Sequence, residues 1–127
     1  MFQPTDSFSS FSVDDVEKAR AFYSGTLGFQ VADQMGGLLI TVPGGQVVYA
    51  YPKPNHEPAT FTVLNFRVAD LDAGIAQIEG LGISLEKYPS TPDMPLDEKG
   101  VLRDPETGNG IAWFKDPAGN VLAIMAG

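Results

Sequence analysis

The chain has 127 residues, 43% of them hydrophobic, which is enough apolar material for one self-sufficient core and too little sequence for a second independent domain. It has no cysteine, and this excludes disulfides, thiolate metal ligands and thiol nucleophiles together. Sixteen acidic residues against eight basic ones give a net charge of −8, which repels polyanions and leaves no basic stripe for phosphate backbones, so no nucleic acid partner is expected.

The elements repeat. Phe11, Val13, Asp15 and Val16 reappear 55 residues later as Phe66, Val68, Asp70 and Leu71, and Leu27-Gly28 is answered by Leu81-Gly82. In each copy an alternating strand runs into an aspartate placed where a helix N-cap belongs, so that its carboxylate can accept the unpaired amides of the first turn. Behind Asp15, the residues Val16, Ala19, Tyr23 and Leu27 recur at helical spacing; behind Asp70, so do Leu71, Ile75, Ile78 and Leu81. Gly28 and Gly82 sit where left-handed C-terminal residues belong. Strand patterns follow at Phe29 to Ala32, Leu38 to Val42 and Gln46 to Tyr51, and then at Ile83 to Tyr88, Ile111 to Lys115 and Asn120 to Met125. Gly36-Gly37, Pro43 to Gly45 and Asp116 to Gly119 separate them as turns. The expected fold is therefore α+β, two tandem βαβββ modules forming a curved mixed sheet around a cup. Module one covers about residues 5–52, a linker about 53–59, and module two about 60–127.

Strand alternation divides the side chains between two faces. Phe11 and Val13 oppose Phe8, Ser10 and Ser12; in the second copy Leu64, Phe66 and Val68 oppose Phe61, Val63, Asn65 and Arg67. The continuous apolar sets are fit to carry the helices, so the polar-bearing sets are expected to line the cup. Trp113 is compatible with either face.

The connections carry fewer signals. His56, the only histidine, stands beside Glu57 in the proline-rich linker and is expected to be a solvated loop residue. Carboxylates at Asp14-Asp15, Asp97-Glu98 and Asp104 to Glu106 are explained by caps and turns, and none forms an acid-base pair at fixed spacing. No nucleotide-binding glycine fingerprint, phosphate loop, nucleophile elbow or zinc-protease motif occurs. Residues 89–108 are long for a connection inside a small domain, and their Met94, Leu96 and Arg103 are candidates to cover the cup or meet a second subunit, with a solvated loop as the alternative.

Two segments carry a family resemblance: Val13 to Tyr23 with Leu27-Gly28-Phe29, and Trp113 to Leu122. Both resemble signatures of the vicinal oxygen chelate superfamily, which includes glyoxalase I, extradiol dioxygenases, fosfomycin-inactivating enzymes and bleomycin-binding proteins. The resemblance covers nearly the whole chain. It implies four cup-lining ligands to a divalent metal that polarises vicinal oxygens, and in this sequence those positions fall on Phe8, Tyr49, Val63 and Ala123. None is a customary metal ligand. No cofactor is therefore expected, and divalent metal is not supported by the sequence.

Phe8, Tyr49, Val63 and Ala123, with Ser10, Tyr51, Asn65, Arg67 and Met125 on the same strand faces, compose a pocket for an apolar or cationic compound with a few polar handles. Trp113, Met94 and Arg103 are further candidates. The leading expectation is a metal-independent small-molecule binding protein that sequesters or carries its ligand. A glyoxalase-like lyase, isomerase or dioxygenase remains the alternative, and it needs a non-standard metal site or a metal-free mechanism on Tyr49, Tyr51 or Arg67. A structural module with a filled cup is a third. The resemblance implies a homodimer. Absence of a long apolar run or a basic leader sets the expectation of a cytoplasmic protein without membrane contact.

Overall fold

A computed structural model describes all 127 residues. They form two compact units, Met1–Pro58 and Ala59–Gly127, each a four-stranded mixed sheet with its own helix. The element order is the expected βαβββ, twice.

In the first unit the strands are β1 (Ser9–Val13), β2 (Gln30–Gln34), β3 (Gly37–Thr41) and β4 (Val47–Pro52), in the spatial order β1-β4-β3-β2. β1 runs parallel to β4 and the other neighbours are antiparallel. Helix α1 (Val16–Arg20) starts at Asp15, whose Oδ1 accepts the amides of Glu17 and Lys18 at 3.0 and 3.1 Å. Its continuation, Ala21–Thr26, widens into a π-helical turn, with the Leu27 amide bonded to the Phe22 carbonyl at 2.8 Å. Gly28 ends it at φ +78°, the left-handed conformation glycine adopts without a Cβ penalty. Ala19, Phe22 and Tyr23 are buried on the sheet face formed by Phe11, Val13, Leu38, Ile40, Val48 and Ala50. The Tyr23 ring meets Phe22 edge-on at 5.0 Å and Phe11 at 5.9 Å. Burial of each large side chain contributes about 1.5–3 kcal/mol, so this face is what holds the helix in place.

The second unit repeats the plan with β5 (Thr62–Arg67), helix α2 (Leu71–Gly80), β6 (Leu102–Arg103), β7 (Gly110–Lys115) and β8 (Val121–Ala126), in the order β5-β8-β7-β6. Asp70 caps α2 through the Ala73 amide at 3.1 Å, and Leu71, Ile75 and Ile78 are buried. The Asp116 to Asn120 turn is locked from inside. Asp116 Oδ1 accepts the amides of Ala118 and Asn120 at 3.0 and 2.8 Å, while Asn120 Oδ1 accepts the Ala59 amide at 3.2 Å.

One expected strand is absent. Ile83 to Tyr88 runs beside β7 with a single ladder bond, from the Glu86 amide to the Trp113 carbonyl at 2.8 Å, and the edge of the sheet is the two-residue β6 instead. The segment alternates as a strand does, but an alternating segment becomes a strand only where a partner offers a continuous ladder. Residues 89–108 are not a wandering loop either. Asp97 accepts the Lys99 and Val101 amides, Ser90 Oγ accepts the Leu96 amide, Leu96 bridges Leu102, and Val101 is buried.

Candidate functional site

Each sheet turns one face to its helix and leaves the other open. In the first unit the register sets Ser10 beside Tyr49, Ser12 beside Tyr51, and Leu39 beside Tyr49, so these side chains share the open face. Tyr49 and Tyr51 lie with their ring centroids 6.2 Å apart and their planes 19° from parallel. The Tyr49 hydroxyl donates toward the carbonyls of Gln34 and Met35, at 2.9 and 3.1 Å, and so ties β4 to the β2–β3 turn. Gly37 makes this possible, because a Cβ there would lie 2.8 Å from the Tyr49 hydroxyl and 2.6 Å from the Ala50 carbonyl oxygen. Phe8 stands just ahead of β1 and is 61% exposed.

His56 corrects an expectation. Its Nδ1 lies 2.7 Å from the Ser12 hydroxyl oxygen, and the ring is half-buried rather than solvated. The linker folds back because its backbone is anchored: the Lys53 amide donates to the Val13 carbonyl at 3.1 Å, and the His56 amide to the Lys53 carbonyl at 3.0 Å. Sequence reasoning assigned Ser12 to the right face and missed its partner. The available signal was the short span from Tyr51 to His56, which keeps the histidine near the end of β4.

In the second unit Asn65 pairs with Ala123, Ala123 with Trp113, Arg67 with Met125, and Met125 with Ile111, so the open face carries all of these side chains. This assigns Trp113, whose ring meets Tyr88 edge-on at 5.9 Å. Burial raises the Tyr88 phenol above its ordinary range, helped by the Glu86 carboxylate and opposed by Lys115. Ala123 is fully buried, and Val63 lies in the bulge where β5 slips register against β8. Asn65 and Arg67 are exposed.

Of the loop candidates, Arg103 is engaged elsewhere. Arg103 Nη2 donates to Asp72 Oδ1 at 2.8 Å and Nη1 to the Gly108 carbonyl at 3.1 Å, which turns the guanidinium to the helix side, as its register beside Gly110 requires. Met94 closes a small turn with Thr91, each amide bonded to the other's carbonyl at 3.1 Å.

No three His, Asp or Glu side chains converge in a way that could hold a divalent metal. Of the four positions the resemblance implies, Phe8, Val63 and Ala123 offer no donor atom, and the Tyr49 hydroxyl is already committed to two carbonyls. These residues do not fit a divalent ion. No helix is long and apolar enough to cross a membrane.

The chain belongs to the Glyoxalase/Bleomycin resistance protein/Dioxygenase superfamily, whose family model matches residues 7–124. An uncharacterized protein of Mycolicibacterium smegmatis is 30% identical over 104 residues, covering 81% of this chain and 86% of that protein. Among solved structures, the antibiotic binding protein TnmS3 from Streptomyces sp. CB03234 is 27% identical with a TM-score of 0.64, covering 98% of each chain. A glyoxalase/bleomycin resistance protein from the same Streptomyces strain is 29% identical with a TM-score of 0.59, covering 94% of this chain and 99% of the other. The fosfomycin resistance protein FosX from Listeria monocytogenes shares the fold at 15% identity and a TM-score of 0.69, covering 99% and 95%.

Proposed function

We propose that this protein binds a small, mostly apolar organic molecule on its open sheet faces, without a resident divalent metal and without turning it over. The observation that carries this proposal is the fate of the four ligand positions: a phenylalanine, a valine, an alanine, and a tyrosine whose hydroxyl braces a turn. What stands there instead suits recognition. Tyr49, Tyr51 and Trp113 supply rigid aromatic area at low conformational cost, and Ser10, Ser12, Asn65 and Arg67 supply polar handles. The similarity to an antibiotic binding protein over nearly its full length supports the same reading.

The test is a titration of chelator-treated protein with a panel of aromatic antibiotics that includes bleomycin, followed by Trp113 fluorescence and by chromatography of the recovered ligand. Saturable binding that EDTA leaves unchanged, with the ligand recovered intact, is expected. Binding that EDTA abolishes, or a ligand recovered in altered form, would overturn the proposal in favour of an enzyme.

A further inference from the structure

We infer that the open face of the second unit anchors an acidic group of its ligand, a carboxylate, sulfonate or phosphate, on Arg67, an inference that rests on the binding function proposed above and names the class of ligand. The chain has twice as many carboxylates as cations, so acidic partners are plentiful for its arginines. Two of the three arginines have one. Arg20 contacts Asp33 at 2.6 Å and Glu17 at 3.1 Å, and Arg103 contacts Asp72 at 2.8 Å, all on the helix sides of their sheets.

The Arg67 side chain forms no ion pair and no hydrogen bond. It is the last residue of β5, exposed, and set by register beside Met125. Asn65, two residues before it on the same face, is also exposed, and its side chain makes no hydrogen bond. Lys115, which shares this face by register, is paired: its Nζ lies 3.3 Å from Glu86 Oε1. Arg67 is thus a cation on this face whose side chain has no acidic partner, in a chain of net charge −8.

The chemistry of this arrangement selects its ligand. A guanidinium presents paired N–H donors in a planar fork that matches two oxygens of one acidic group, and a neighbouring amide adds a further donor. Met125 beside it and Ile111 beyond Met125 give apolar surface for the body of the molecule, with Trp113 in the neighbouring row of Asn65 and Ala123. The ligand is thus an apolar, preferably aromatic, acid. The cationic ligand favoured by overall charge is disfavoured at this face.

The test compares 2-naphthoate with its neutral isostere 2-naphthamide, titrated into the wild type, Arg67→Gln and Arg67→Lys, with thermal melts showing that each variant folds. The wild type is expected to bind naphthoate at least tenfold more tightly than naphthamide, as a charge-assisted pair implies. Arg67→Gln loses that preference, and Arg67→Lys retains part of it. Amide cross-peak shifts on titration should centre on Asn65, Arg67 and Met125. Equal affinity for the two probes in the wild type, or a preference that survives in Arg67→Gln, removes Arg67 from the site and leaves the binding function standing. No binding of either probe counts against the binding function itself, and this inference falls with it.

Discussion

The imidazole Nδ1 of His56 lies 2.7 Å from the hydroxyl oxygen of Ser12, across 44 residues of chain. The contact fastens the linker to the open face of the first sheet, beside Tyr51. A hydrogen bond of this kind contributes about 1 kcal/mol. Ser12→Ala and His56→Ala should each destabilise the protein by roughly that amount, and the double variant by less than the sum of the two. Urea denaturation of the four proteins measures the coupling; strict additivity would show that the two side chains do not interact.

Why His56 was illegible in the sequence is a matter of where the information resides. Linker polarity speaks of solvent, whereas the position of His56 is set by the backbone bond from Lys53 to Val13 and by the parallel pairing of β1 with β4, both products of tertiary assembly. By contrast, the Asp15 and Asp70 caps and the repeat itself follow from local chemistry and from the periods of helix and strand and could be read directly, whereas the helical sets were legible only in part, since Leu81 is exposed and Phe22, outside the set, is buried. Ile83 to Tyr88 shows the limit. Its alternation suits a strand, yet it makes one ladder bond to β7, and no feature of the segment itself reveals that its partner is lacking. Trp113 needed the β7–β8 register before its face was defined.

Gly37 and Tyr49 form a matched pair. Gly37→Ala places a Cβ against the Ala50 carbonyl and the Tyr49 ring, and should cost about 1–3 kcal/mol through overpacking. Tyr49→Phe removes only the bond to the turn carbonyls and should cost about 1 kcal/mol. Chemical denaturation resolves the two, and hydrogen exchange in residues 34–37 should speed up in both variants.

Asp15 accepts two amides of the first turn of α1, so Asp15→Ala should lower stability by about 1 kcal/mol. Ligand affinity should not change, because the cap lies at the end of the helix-bearing side. A matching loss of affinity would place α1 in the binding machinery.

Tyr88 gives a pH dependence with a definite sign. Its phenol titrates higher in the folded protein than in the unfolded chain, whose tyrosines ionise near 10, so folding favours the protonated form. The resulting stability is fully present below that pH and is lost as pH rises through the folded value. Tyr88→Phe should therefore flatten the alkaline fall in stability. Trp113, the only tryptophan, has its ring 5.9 Å from that of Tyr88 and reports the ionisation by fluorescence. A transition at the value of free tyrosine, unchanged by Tyr88→Phe, would contradict the assignment.

Metal content bears most directly on the claim that recognition has replaced chelation. Protein purified without added metal should be assayed by elemental analysis and then melted in the presence of Mn, Fe, Co, Ni and Zn, since an ion that binds the native state raises its melting temperature. The side chains at Phe8, Tyr49, Val63 and Ala123 predict no stoichiometric metal and no saturable rise. One equivalent of tightly bound metal, or a saturable stabilisation by any of the five, would show that the ligand positions lie elsewhere in the chain and that metal-assisted catalysis is the correct description.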